Sequence, residues 1–256
     1  LSIQPGARVF IKKAIAKESG ASVGVLSGTI GMKVAKLGKG SPNLKTFTPS
    51  AVVGIRGTEY RVTVGPSGDA MVDVMQGAVQ VQNDDKSADV SKGQSVETDV
   101  KGDAVTPLSK PKPPAAFVAD DQKQVDADPL GALSAVHDRI LEVRDDAVTT
   151  RKEIDAAPSA VDAESKRRAI VNADQNLADE TTKNEGLYSI ADAIRGKNPD
   201  NPQIKEKFAS VEQVNKEIDD ALAGISAAIE AFNKEFDQAV DEFNKTFEGA
   251  DPMKDI

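Results

Sequence analysis

The sequence predicts an α+β protein built as two separate domains. An all-β unit, a rolled or solenoid-like sheet, comes first, and an antiparallel three-helix bundle or coiled coil follows. Three observations carry this expectation. Short apolar runs alternate with polar residues up to about residue 108. A proline-dense stretch, Ser109-Lys110-Pro111-Lys112-Pro113-Pro114, then interrupts the chain. From Phe117 onward, apolar residues recur three and four apart, the spacing of one helix face. The expected boundaries are 1–108 for the sheet, 109–117 for a proline-rich linker and 118–256 for the helices.

Within the first unit, runs such as Val23-Gly24-Val25, Arg61-Val62-Thr63-Val64 and Met71-Val72-Asp73-Val74 read as strands. Gly65-Pro66-Ser67-Gly68-Asp69 and Asn83-Asp84-Asp85-Lys86 read as exposed turns between them. Val23 to Met32 and Val72 to Val81 share the pattern apolar-x-apolar-apolar-x-Gly-x-apolar-x-apolar, and their glycines, Gly28 and Gly77, occupy the same place. A glycine there permits a tight corner between strands. The segment TPSAVVGIRGTEYRVTV, residues 48–64, sets Gly54 and Gly57 into the most strand-like part of the chain. A phosphate-cradling loop would need a helix to follow the glycines. Strand residues Arg61–Val64 follow instead, so both glycines are expected to be backbone corners, with Arg56 between them pointing outward or paired with Glu59.

In the second unit, Asp128-Pro129 starts the first expected helix and Ala157-Pro158-Ser159 ends it. The second runs to about Arg195 with Ile170, Ala173, Leu177, Leu187, Ala191 and Ile194 on one stripe, interrupted by polar Glu180 and Asn184. The third carries a heptad of Ile218, Leu222, Ile225, Ile229, Phe232, Phe236, Val240, Phe243 and Phe247. Its aromatic end, Phe232, Phe236, Phe243 and Phe247, reads first as core. A second reading offers it to the β-unit, a second copy or another protein.

Charge divides the chain in the same way. The net charge of −9 combines +3 over residues 1–108, within which 1–65 alone carry +8 from 10 Lys/Arg and 2 Asp/Glu, with −12 over 109–256, from 19 against 31. The basic residues stand singly without interleaved aromatics, which gives no support to nucleic-acid binding. Cysteine is absent, removing thiol chemistry, disulfides and zinc–thiolate sites. The single histidine, His137, has no companion ligand and is expected on the surface or flank of a helix. Residues 83–89 lack the acidic spacing of a calcium loop. No serine stands in a nucleophile-elbow context, and catalysis is not expected. No cofactor or metal is expected either. No apolar run reaches the roughly 18 residues of a membrane span. The opening Leu1-Ser2-Ile3 reads as strand, so upstream sequence, a signal, lipid anchor or membrane helix, is expected.

Thr48-Pro49-x-Ala51, Gly54, Arg56, Gly57-Thr58-Glu59-Tyr60-x-Val62 closely resembles the hallmark segment of FecR-family domains. Leu1 to Val9 resembles the family's opening turn and strand. Gly28 and Gly77 sit in its two strand motifs, and Val90 to Val96, with Gly93, resembles its closing motif. The resemblance implies an extracytoplasmic, non-enzymatic all-β domain that works through protein–protein contacts in the bacterial envelope. Its expected partner is another envelope protein or a second copy. Family regulators relay transporter status to a sigma factor, and a helical region stands here where their receptor-signalling domain would follow.

Overall fold

A computed structural model describes residues 1–12, 22–35, 44–55, 57–108, 111–156 and 163–248. Eleven strands form one strongly rolled sheet: β1 (Ser2–Ile3), β2 (Arg8–Lys12), β3 (Ser22–Lys33), β4 (Leu44–Phe47), β5 (Val52–Ile55), β6 (Glu59–Val64), β7 (Ala70–Gln76), β8 (Ala78–Asn83), β9 (Lys86–Ser91), β10 (Ser95–Thr98) and β11 (Val105–Leu108). The order is β11-β10-β7-β6-β3-β4-β5-β8-β9, with β1 and β2 added along β3.

The 12-residue β3 makes the roll. Its first residues pair with β2 on one side and β4 on the other, whereas Gly28–Lys33 pair with β6 and Ser2–Ile3. One strand thus serves two halves of the sheet, and β9 at one end returns beside β10 and β11 at the other. The result is a nearly closed, barrel-like sheet. The solenoid alternative gives way, because a solenoid stacks parallel strands and only the β3–β4 ladder is parallel among the described residues. Alternating valines fill the interior: Val25, Val53, Val62, Val72, Val81 and Val96 are all fully buried.

Gly54 is not a corner. It lies within β5, paired with Lys45 and Gln80, and a Cβ there would meet nothing closer than 3.9 Å. Gly57 does stand at the turn from β5 to β6, with φ +70°. Gly77, at φ +85°, joins β7 directly to β8, and a Cβ on it would come within 3.0 Å of the Gly57 carbonyl. The two glycines therefore form one corner. Arg56 lies outside the described residues, and Glu59 pairs with Lys33 at 3.5 Å.

Four helices follow, not three. The extra one, α1 (Pro114–Ala127), begins inside the expected linker. Proline density suggested an extended segment, but Pro114 occupies the first helical position, where its missing N–H leaves no bond unmade. The others are α2 (Pro129–Ala156), α3 (Ala163–Lys197) and α4 (Pro202–Glu248). These three surround one apolar core in which Leu133, Ile140, Leu187, Ile194, Ile204, Ile218 and Ile225 are fully or almost fully buried.

Facing residues give the directions. Lys166 meets Glu235, Asn184 meets Asn215 and Arg195 lies over the Phe208 ring, so α3 and α4 are antiparallel. His137 meets Ser210 and Arg144 meets Glu217, both 73 residues apart, so α2 and α4 are parallel. His137 is accordingly buried rather than on a surface flank, its Nε2 3.0 Å from the Ser210 hydroxyl.

Candidate interaction site

The hallmark segment turns inward. Thr48 and Ser50 are buried between β4 and β5, and the Thr48 hydroxyl accepts the Ser50 N–H at 3.3 Å while the Thr48 N–H reaches the Ala51 carbonyl at 2.8 Å. This local side-chain bond is what makes the Thr-Pro-Ser turn tight. The Ser50 hydroxyl meets that of Thr98 at 2.9 Å. Thr58 donates to the Ala78 carbonyl at 2.7 Å and so fastens the Gly57–Gly77 corner. Tyr60 is fully buried, its hydroxyl 2.6 Å from Thr46 Oγ1, and burial pushes its pKa well up. Gly93 turns the chain from β9 to β10. Among the described residues, these motif positions build a corner, a turn and a core; none opens onto a cleft as a reactive group.

Pro49 explains the next level. It is buried where α3 crosses the sheet, and a Cβ on Gly186 of α3 would come within 3.4 Å of its ring. Along the same helix face, Thr182 packs onto Gly24 of β3 so closely that a Cβ there would overlap its methyl, Ser189 takes a hydrogen bond from Arg8, and Ile190 reaches Gly68. Small residues on both sides allow this close approach.

Two charged anchors fasten the other helices. Asp121 of α1 accepts the Ser67 N–H at 2.9 Å, beside Asp69, whose carboxylate takes the Val100 N–H at 2.8 Å. Burial raises both pKa values, that of Asp69 to about 6. Arg139 of α2, almost fully buried, reaches the Asp84 carboxylate at 2.6 Å and also contacts Glu142. The β8–β9 turn expected to be exposed is thus partly docked: Asn83 is buried and donates to the Asp99 carbonyl at 2.9 Å. Arg139 and Asp121 carried no distinguishing signal in the sequence, since each is one charge among many on an amphipathic helix.

Clefts flank these anchors. One of about 390 Å³, between sheet and helices, is lined by Asp69, Asp99, Lys101, Asp121 and Asp128 among others. No group of three metal-ligating side chains forms among the described residues.

The remaining exposed feature is the end of α4. Its described side chains from Asn233 to Glu242 are all exposed, with Phe236 at 54% and Val240 at 41%. Phe232 is half-buried and stacks on Phe236 with ring centroids 6.4 Å apart. Phe243 and Phe247 continue the stripe in sequence, their side chains lying outside the described ones.

Residues 1–80 match the FecR protein family. The matched FecR region spans β1 to β7 and the first half of β8, and includes the Thr48–Tyr60 segment. Two solved structures of proteins from Parabacteroides distasonis ATCC 8503, both described as proposed anti-sigma factors, are similar to the chain. One is 14% identical over 41% of this chain and 49% of its own, with a TM-score of 0.35. The other is 12% identical over 43% and 54%, with a TM-score of 0.33. The chain thus spans about half the length of each. No curated protein matches it. No helix among the described residues is long and apolar enough to cross a membrane.

Proposed function

We propose that this chain is a non-enzymatic binding and scaffold protein of the bacterial cell envelope. In this reading it works outside the cytoplasm, as two domains, with a FecR-type sheet carried on a helical platform. The observation that carries the reading is the FecR match together with the way its hallmark residues are used. They lock the sheet to itself and to α3, so the region serves as a rigid body that presents surfaces rather than a pocket. Loops and helix ends on such a body are where binding groups sit.

The FecR match also favours a second reading, the extracytoplasmic part of a FecR-type regulator that passes a transport signal to a sigma factor. A photo-crosslinking residue at exposed Gln80 of β8, and another at Asp200 between α3 and α4, tests both in the source bacterium. A discrete envelope protein trapped from either position, with transcription unchanged on deletion, fits the scaffold. Loss of sigma-factor-dependent transcription on deletion selects the regulator. Crosslinks confined to cytoplasmic proteins, or turnover of a substrate by the purified chain, would overturn both.

A further inference from the structure

A cleft of about 360 Å³ opens where α2 and α3 meet the end of β4. Its walls carry four carboxylates, Asp146 and Glu153 from α2 and Asp179 and Glu180 from α3, against the single ammonium of Lys183. Buried Phe47 supplies an apolar wall.

Glu180 sets this cleft apart from an ordinary acidic surface. It is only 9% exposed, and its buried Oε2 has no hydrogen-bond partner. The charged groups acting on it are Asp146, Lys183 and Asp179, and only Lys183 favours its ionised form. Lys183 does so without a hydrogen bond to Oε2. A buried acceptor left unpaired is costly, and such groups concentrate at binding sites. Glutamine would fill the same space without the charge.

What the acid lacks is a donor that carries positive charge. A metal ion would need several convergent ligands, and no three acidic side chains converge in that way among the described residues. An ammonium group needs only one carboxylate to receive its N–H. The cleft is far larger than a bare ion, and beside Phe47 it has room for a short alkyl chain. Asp146 and Glu153, both exposed, stand on its rim, where a second cationic group would meet them.

We propose that this cleft binds a small alkyl diamine, one ammonium held by the Glu180 carboxylate and the other by Asp146 and Glu153, with the alkyl chain along Phe47. The inference rests on α2, α3 and Phe47 and not on the FecR match, so its failure would leave that reading untouched.

Isothermal titration calorimetry of the full chain at pH 8 and low salt tests it. 1,4-Diaminobutane is expected to bind at one site per chain, butylamine at least about tenfold more weakly, and butane-1,4-diol not at all. Glu180→Gln should cost at least about tenfold in diamine affinity while the Tm stays level or rises, so unfolding cannot account for the loss. Asp146→Asn, on the exposed rim, should narrow the gap between diamine and monoamine. Failure of the diamine to saturate a single site, or equal affinity in Glu180→Gln, overturns the proposal. Weak uptake at many sites, unchanged by Glu180→Gln, would be general attraction to an acidic chain and overturns it too. So does tighter binding of Mg²⁺ or Ca²⁺ that Glu180→Gln removes, which would assign the cleft to a metal.

Discussion

Gly57 and Gly77 meet at the corner where β5, β6 and β8 converge, and a side chain on Gly77 would press on the Gly57 carbonyl. Both adopt a left-handed backbone that L-residues other than Asn and Asp avoid, at roughly 1–2 kcal/mol per residue. Gly77 adds a steric limit, since its Cβ would press on the Gly57 carbonyl and the Thr58 hydroxyl at 3.0 Å. Gly54, three residues earlier, has neither constraint. Gly57→Val is therefore expected to lower stability by about 2 kcal/mol or more. Gly54→Ala should leave it within about 1 kcal/mol of the parent. Urea-unfolding midpoints of the two variants check this, and equal losses would mean that the corner assignment is wrong.

Between elements, the decisive contact is α3 on β3. Gly24→Ala should destabilise by about 1–3 kcal/mol, because the new methyl overlaps that of Thr182. Thr182→Ser removes the opposing methyl and keeps the hydroxyl, so adding it should restore part of the loss. A double-mutant cycle with no favourable coupling would place the strain elsewhere. Along α4 the same helix is expected to behave in two ways. Ile225, fully buried between α2 and α3, should cost about 2–5 kcal/mol when cut to Ala. Phe236→Ala, beyond the end of α2, should change the Tm little. Thermal unfolding followed at 222 nm compares them directly. Similar losses at the two positions would mean that α4 is covered to its end.

At the scale of the whole molecule, a buried acid lies where α2 and α3 meet the sheet beside Phe47. Glu180 is almost wholly enclosed, one of its carboxylate oxygens has no hydrogen-bond partner, and burial, with Asp146 nearby, raises its pKa from 4.5 to about 7. Lys183 beside it is pushed down by the same burial and by Arg139. Between about pH 4.5 and 7 the folded chain holds the Glu180 proton more tightly than the unfolded one. Its contribution to stability therefore falls as pH rises through that window and levels off above it. Asp69 acts in the same sense between its ordinary value of 3.8 and about 6. Glu180→Gln should gain about 1–3 kcal/mol over the parent at pH 8 and little at pH 4.5. Denaturation midpoints across that range provide the check. A gain that does not depend on pH would show that ionisation of Glu180 is not the cause.

The division of the chain into strands and helices was legible because each class writes its own period: two for Val72-Asp73-Val74, three and four for Ile218 to Ile229. The expected third helix corresponds to α4 and the heptad along it because amphipathic spacing is a local property. Helix α1 was missed because Pro113 and Pro114 read as a linker, although proline suits a helix start as well as an extended segment. Gly57 and Gly77 stand in the left-handed region that glycine adopts most readily, so a glycine breaking a strand pattern is the local signal for such a corner. Gly54 was misread beside them, because a glycine inside a strand and one at a corner look alike in sequence. His137, Asn83 and Arg139 were decided by partners far along the chain, Ser210, Asp99 and Asp84, which no local pattern names. What the sequence by itself determined was the kind of element at each place and which face of it is apolar. Only the tertiary structure decided that the hallmark segment is buried against α3, and that α2 stops level with Ile229. Both depend on where separate elements end in space, and it is this mismatch of helix lengths that leaves Phe236 in solvent.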